Sequence, residues 1–344
     1  MKNLKHILLP LLFLLVAVVG LYYVKWNPYY HKAFVAAIKN SIGDSIISGK
    51  SMSGPQPSWA AAWGYTVSYF NAIWKAMFLG LLLGSLVQVL LPVQWIKKTL
   101  GGTGFGSTAV AGAAALPGMM CSCCAAPIAV GLRERSASIN AALAFFLANP
   151  VLNPATIIFM GFVLSWKFAL YRVVFGIILV VGISTLASRL IKEEEGVDYP
   201  VLSQESFADN GSIFVRWMHA LWQLIIDTLP AYFIVVTLLG AFRAWLFPVI
   251  DPAWANSILT IIGLAITGTL FVIPTAAEIP IVQTLMTFGL GVGPAAALLI
   301  TLPAVSLPSL LIIRRAFPAR VLIFVAVAVA LVGITAGLLA LVVL

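Results

Sequence analysis

Hydrophobic positions in this chain come in long, nearly uninterrupted blocks. They show neither the alternation of a half-buried strand nor the one-sided stripe of a surface helix. A block of about 20 apolar residues is long enough for one helix to cross the hydrocarbon core of a bilayer. Seven such blocks stand out, at 7–25, 65–92, 139–164, 168–190, 217–245, 293–313 and 320–343. Two more, 105–131 and 256–291, are as apolar but break near their middles, at Pro117 to Cys124 and at Pro274 to Pro280. Proline removes an amide donor and crowds the preceding turn, so each region predicts two short helical arms around a bent tip, as in a re-entrant hairpin. Full crossing of both regions is the other arrangement the pattern allows, with nine spans and unchanged sides for the termini. The fold class is an all-α polytopic membrane protein, with about seven full spans plus two broken hairpins.

The two halves repeat at one offset. Pro127-Ile-Ala-Val and Pro280-Ile-Val-Gln lie 153 residues apart, as do Pro150 and Pro303. Around the latter prolines, AFFLANPVLNP faces LLITLPAVSLP. Each half reads as span, broken hairpin, proline-interrupted span, span. Three full crossings per half give the copies opposite orientations, the inverted-repeat plan of many secondary transporters, whose sites lie at the midplane on discontinuous helices. The expected organisation is an N-terminal anchor span at 1–26, an external loop at 27–64, a first membrane repeat at 65–190, a cytoplasmic linker at 191–216 and a second repeat at 217–344.

Composition agrees with a bilayer setting. The chain is 62% hydrophobic and 9% charged, with a mean hydropathy of +1.06, where soluble domains carry about 25% charged residues. The net charge of +9 is spread over the loops, which orients a membrane protein and is no nucleic-acid footprint. With both broken regions taken as hairpins, Lys2, Lys5, Lys97, Lys98, Arg133, Arg135, Arg189, Lys192, Arg216, Arg314, Arg315 and Arg320 fall on one side. Lys25, Lys32, Lys39, Lys50, Lys167, Arg172 and Arg243 fall on or near the other, and Lys75 lies within a span. Twelve against seven puts the first side, with the N-terminus, in the cytoplasm and the C-terminus outside. The first apolar run ends in Tyr22-Tyr23-Val24-Lys25-Trp26 with no small-residue cleavage site, so it reads as an uncleaved span with an interfacial border. Most tryptophans flank spans as an aromatic belt.

Candidate chemistry concentrates at the helix breaks. The three cysteines, Cys121, Cys123 and Cys124, lie within four positions of the LPGMMCSCCAAP bend. Packing explains one buried cysteine well enough, but three on broken backbone point to soft ligand chemistry. Such thiols suit trivalent arsenic, monovalent copper or zinc, bound transiently, and a cysteine at a helix N-terminus is the more reactive for it. His6, His31 and His219 are scattered and complete no zinc site. In the inverted arrangement Met119 and Met120 accompany the thiols, Thr275 and Glu278 come from the second hairpin, and Asn149, Asn153, Thr301 and Ser306 come from the interrupted spans. Glu278 has no basic neighbour in its own hairpin. It reads as a coupling or substrate carboxylate facing a polar cavity, or as an interfacial one if the hairpin is shallow. Lys75 and Asp227 hold comparable places in the first span of each half and form a candidate ion pair across the repeat.

The strings LPGMMCSCCAAP, LANPVLNPATIIFMGFVL, FVIPTAAEIPIVQ and TLPAVSLPSL together resemble the YraQ-type predicted permeases of bacterial inner membranes, over nearly the whole chain. That family also holds the ArsP permeases, which export trivalent organoarsenicals such as methylarsenite. The resemblance implies a multi-pass permease of the inner (plasma) membrane, and a soft metalloid as cargo for Cys121, Cys123 and Cys124. The expected function is an efflux secondary transporter, with no nucleotide-binding motif, no enzyme constellation and no cofactor. Its partners are membrane lipid and a small-molecule or metalloid substrate, with homo-oligomerisation left open. The other reading is a membrane thiol protein that delivers metal or exchanges redox equivalents without transport.

Overall fold

The computed structural model describes residues 2–49, 51, 54–189, 212–248 and 254–344. Seven helical stretches in it are long and apolar enough to cross a membrane. The first is longer than the expected anchor at 1–26: α1 (Lys2–Leu21) passes through one π turn, Tyr22–Trp26, into α2 (Asn27–Lys39). Pro28 would crowd the carbonyl four residues earlier, and the wider π turn directly before it relieves that clash. Asn40, in the left-handed region at φ 49°, stops the helix.

The first repeat begins with α3 (Trp59–Leu90), capped by the Ser58 hydroxyl, and a short surface helix α4 (Val93–Leu100). Its hairpin is α5 (Phe105–Ala115) and α6 (Ser122–Glu134), joined through a tight turn at Leu116–Gly118. The interrupted span follows as α7 (Ile139–Val151) and α8 (Pro154–Val163). The last span is α9 (Trp166–Ile177), a π stretch at Ile178–Ile183 and α10 (Ser184–Arg189). The second repeat runs α11 (Ile213–Ala241), α12 (Arg243–Leu246), hairpin α13 (Ile258–Leu270) and α14 (Glu278–Thr287), interrupted span α15 (Val292–Ala304) and α16 (Leu307–Ile313), and α17 (Ala319–Val343). Most of the expected linker, at 190–211, lies outside the described residues.

Both broken regions are hairpins. The Ser138 amide donates to the Leu100 carbonyl at 2.8 Å and the Ser138 hydroxyl to the Gly102 carbonyl at 2.8 Å, so the first region leaves beside the point where it entered. The second closes the same way, with the Gly291 amide on the Ala255 carbonyl at 3.1 Å. The offset of 153 residues recurs in the structure: α5 and α13 start at 105 and 258, α7 and α15 at 139 and 292, α9 and α17 at 166 and 319.

Burial ranks the spans. The interrupted ones are central, with 72% and 89% of their apolar windows buried, against 6% for the N-terminal helix. The antiparallel pair α3 and α11 is pinned by Tyr69 and Tyr232, whose hydroxyls lie 2.5 Å apart. Helix α6 packs on α3 through Gly80 and Gly84, the small-residue spacing of close membrane-helix contacts. A Cβ at Gly80 would sit 2.4 Å from the Cys124 carbonyl oxygen.

The candidate pair of Lys75 and Asp227 does not form. Lys75 is exposed on the outer face of α3, over the Trp74 ring at 5.5 Å. Asp227 instead pairs with Arg315, which also reaches Glu134 at 3.1 Å. Equivalent sequence positions in two repeats need not face each other, because each helix is rotated by its own packing.

Candidate functional site

The first hairpin tip is held from two directions. The Trp26 indole donates to the Pro117 carbonyl at 2.7 Å, and Asn149 Oδ1 accepts from the Met120 amide at 3.3 Å. Gly118 is required there, since a Cβ would lie 2.4 Å from Asn149 Oδ1. Met119 then turns the chain through the left-handed region at φ 48°, and Cys121 becomes the N-cap of α6. Asn149 and buried Met120 thus position the tip.

Within the tip the thiols divide two and one. Cys121 Sγ and Cys124 Sγ lie 3.2 Å apart, on one face of the first turn. Cys123 points elsewhere, 3.4 Å from the Ser306 hydroxyl and near Tyr69 and Tyr232. No group of three His, Cys, Asp or Glu side chains among the described residues is placed to hold a metal together. As placed, the three cysteines are a dithiol pair plus a separate thiol. Asn153 and Ser306 stand at equivalent registers as N-caps of α8 and α16, and Ser306 also lies 3.4 Å from the Ser122 hydroxyl. Thr301 bonds within its own helix, to the Ala297 carbonyl at 2.9 Å.

Glu278 is not alone. Its Oε1 accepts from Arg172 Nη1 at 2.6 Å, with the arginine and glutamate side chains only 1% and 2% exposed. Arg172 was expected at the outer border; it lies within the protein. Its Nε donates to the Val151 carbonyl at 2.9 Å and its Nη2 to the Pro150 carbonyl at 2.7 Å. Those carbonyls end α7, where no further turn supplies amides, so the guanidinium caps the negative end of one half-helix. Glu278 opens α14 and faces its positive end. The pair therefore joins a helix end of the first repeat to one of the second.

Lys25 is the other residue the sequence misplaced. It reads as interfacial beside Trp26, but it is 3% exposed because the helix continues to Lys39 and turns this face inward. Its ammonium donates to the Tyr29 hydroxyl and the Thr275 hydroxyl, both at 3.1 Å. Cys121, Ser122, Thr156, Thr275 and Glu278 line one narrow cavity with the proline-bearing ends at Pro150, Pro274 and Pro303, and it has room for about a single water. Thr156 Oγ1 and Glu278 Oε2 are buried without protein partners. The cavity unites both hairpin tips and both interrupted spans. Thr156 could have been inferred from the sequence only through its nearness to Asn153 at the start of α8.

Residues 112–342 match the family described as "Predicted permease" (ArsP_1). The UPF0718 protein YraQ of Escherichia coli (strain K12) is 51% identical, the match covering 96% of this chain and 94% of that protein. The UPF0718 protein MJ0584 of Methanocaldococcus jannaschii is 24% identical, over 57% of this chain and 71% of its own length. No solved structure matches.

Proposed function

The chain belongs to the predicted-permease family, and from that premise we propose that it exports a small, soft, thiol-seeking solute, such as a trivalent organoarsenical or a soft metal ion, as a secondary transporter of the bacterial inner membrane. The observation that carries the reading is the Cys121–Cys124 pair, 3.2 Å apart on a tip whose first cysteine lines a cavity shared by both repeats. Adjacent sulfurs at that spacing suit a soft centre that takes two thiolates. A narrow chamber at the junction of opposed half-helices suits alternating access, in which one repeat rocks against the other.

Orientation is part of the proposal. Of the seven basic residues first counted outside, Lys25, Arg172 and Arg243 are buried, which leaves four against twelve on the other side. That bias supports a cytoplasmic N-terminus and an external C-terminus. The domain plan is proposed with it: an N-terminal span, two membrane repeats and a cytoplasmic linker. Glu278 is proposed as the coupling group, since it lines the chamber with Oε2 unpartnered while Oε1 holds Arg172. Protonation would weaken that bridge and free the two half-helix ends to part. Glu278→Gln should then remove the dependence of transport on an imposed proton gradient. Unchanged dependence in a well-expressed variant would sink this role.

The main test is uptake of methylarsenite into everted membrane vesicles containing the full chain. Replacing Cys121, Cys123 and Cys124 together with Ser should reduce uptake to the level of empty vesicles at equal protein. Uptake by the triple variant equal to wild type would return the cysteines to packing. The same S–S spacing favours a second reading, in which the dithiol reduces a partner's disulfide, two electrons and two protons passing to the partner as Cys121 and Cys124 form a disulfide. Isolation of a mixed disulfide through Cys121 in a Cys124→Ser variant, with no vesicle uptake by wild type, would favour it.

A further inference from the structure

The buried charges around the chamber do not balance. Among the described residues the buried Lys, Arg, Asp and Glu side chains are Lys25, Arg172, Arg243 and Glu278, three cations to one anion. Arg172 is matched by Glu278. Arg243 lies over the Tyr65 ring at 5.3 Å and donates to the Ala61 carbonyl at 3.3 Å, well up α3. Lys25 has three N–H donors and two neutral oxygens to receive them, Tyr29 and Thr275. A buried ammonium without an anion is expensive at membrane depth, so such a group marks a place where an opposite charge arrives. Thr275 is on the cavity wall, and Cys121 and Cys124 lie within electrostatic reach of the ammonium. The second sign is Thr156, whose buried hydroxyl on the same wall has no partner and can donate to an anion.

We propose that the chamber is built for an anion: the cargo carries a negative charge beside its thiol-seeking atom, and Lys25 of the N-terminal helix is its counter-ion. This rests on the reading of the cysteines as the cargo site and restricts it by charge to small soft anions, which excludes a free metal cation and keeps an organoarsenical only where it carries an anionic group. The free Oε2 of Glu278 then accepts from a hydroxyl or N–H on the same cargo. Lys25 stands behind the cavity wall, on the Thr275 hydroxyl, and Trp26 ties the N-terminal helix to the cysteine tip.

The test uses three methanethiosulfonate reagents on the full chain in membranes, read by mass on each cysteine. One is neutral (methyl), one anionic (sulfonatoethyl) and one cationic (trimethylammonioethyl). In each case a thiolate attacks the sulfenyl sulfur and methanesulfinate leaves. In wild type the anionic reagent should modify the Cys121–Cys124 pair faster than the cationic one by on the order of tenfold, as expected for one nearby charge in a low-dielectric site. Lys25→Met and Lys25→Gln should bring that ratio near one, whatever common change they make to all three rates through the thiols, while Lys25→Arg keeps the preference. An anionic-to-cationic ratio of one or below in wild type overturns the proposal without need of any variant. An equal ratio in wild type and both neutral variants overturns it too. A fall in all three rates with the anionic-to-cationic ratio unchanged would assign the ammonium to a thiolate of the protein, against an anionic cargo. Modification by the neutral reagent with no charge preference defeats this proposal alone. No modification by any of the three defeats the cysteine reading with it.

Discussion

The two hairpin tips occupy equivalent places in the two repeats and have been given different chemistry. Both reverse through a non-glycine residue in the left-handed region, Met119 at φ 48° and Ala276 at φ 69°. In the first, helix α6 starts at Ser122; at the 153-residue offset its counterpart would start at Thr275, but α14 starts at Glu278. That later start leaves Thr275 in the turn, where its hydroxyl reaches Lys25, and puts a carboxylate at the helix N-terminus. The cysteine tip supplies sulfur; the acid tip supplies charge and a bridge to the other repeat. One backbone plan used twice fixes the chamber, and a shift of three residues in one copy separates the roles.

The acid tip should be the costlier one to disturb. Arg172→Met leaves Glu278 buried and unpaired, and should destabilise the fold by about 3–5 kcal/mol, whereas Arg172→Met with Glu278→Gln should lose clearly less than the two single changes combined. Thermal unfolding followed by size-exclusion chromatography in detergent reads both, and simple additivity would show that the pair is not the link between repeats. The cysteine tip depends on close backbone approach instead. Gly80→Val pushes α3 off the Cys124 carbonyl and should cost about 1–3 kcal/mol by overpacking, while slowing thiol modification as the tip shifts. An unchanged melting temperature would mean that α6 is free to move on α3.

Smaller effects test the repeat itself. Asn153→Ala and Ser306→Ala remove equivalent caps and should each cost about 1 kcal/mol. Ser306→Ala should also alter the modification rate of Cys123, its neighbour at 3.4 Å, and Asn153→Ala should not. The smallest effect belongs to Arg315→Ala at the mouth of the first hairpin. Its partners Glu134 and Asp227 are 22% and 52% exposed, so at most about 1 kcal/mol is expected.

Much of this architecture was legible in the sequence because membrane spans announce themselves locally. Length, apolar content and proline position marked seven spans, two breaks and the 153-residue offset. The hairpins were expected from the breaks, but the contacts that close them, such as Ser138 on Leu100, join separate segments and were not legible. The site was half visible. Cys121, Thr275 and Glu278 do meet, while Asn149 and Asn153 prove to be a brace and a cap. Lys25 and Arg172 escaped because each sits where an interfacial cation is ordinary, and their partners are 250 and 106 residues away. Arg172 did offer a signal: an arginine at the fifth position of the apolar run 168–190 needs an acceptor, and Glu278 was a carboxylate in want of a cation. Lys75 and Asp227 were matched by repeat register alone, and register does not fix which way a helix faces.

The central claim, that the two hairpins open on opposite faces of the membrane around one chamber, is tested most directly by labelling single cysteines introduced at their mouths. In a background with Cys121, Cys123 and Cys124 replaced by Ser, Thr103→Cys marks the first mouth and Thr287→Cys the second, both exposed positions. A membrane-impermeant maleimide added to intact cells should label Thr287→Cys at once and Thr103→Cys only after permeabilisation. Labelling of both from the same side would contradict the inverted repeat and the account built on it.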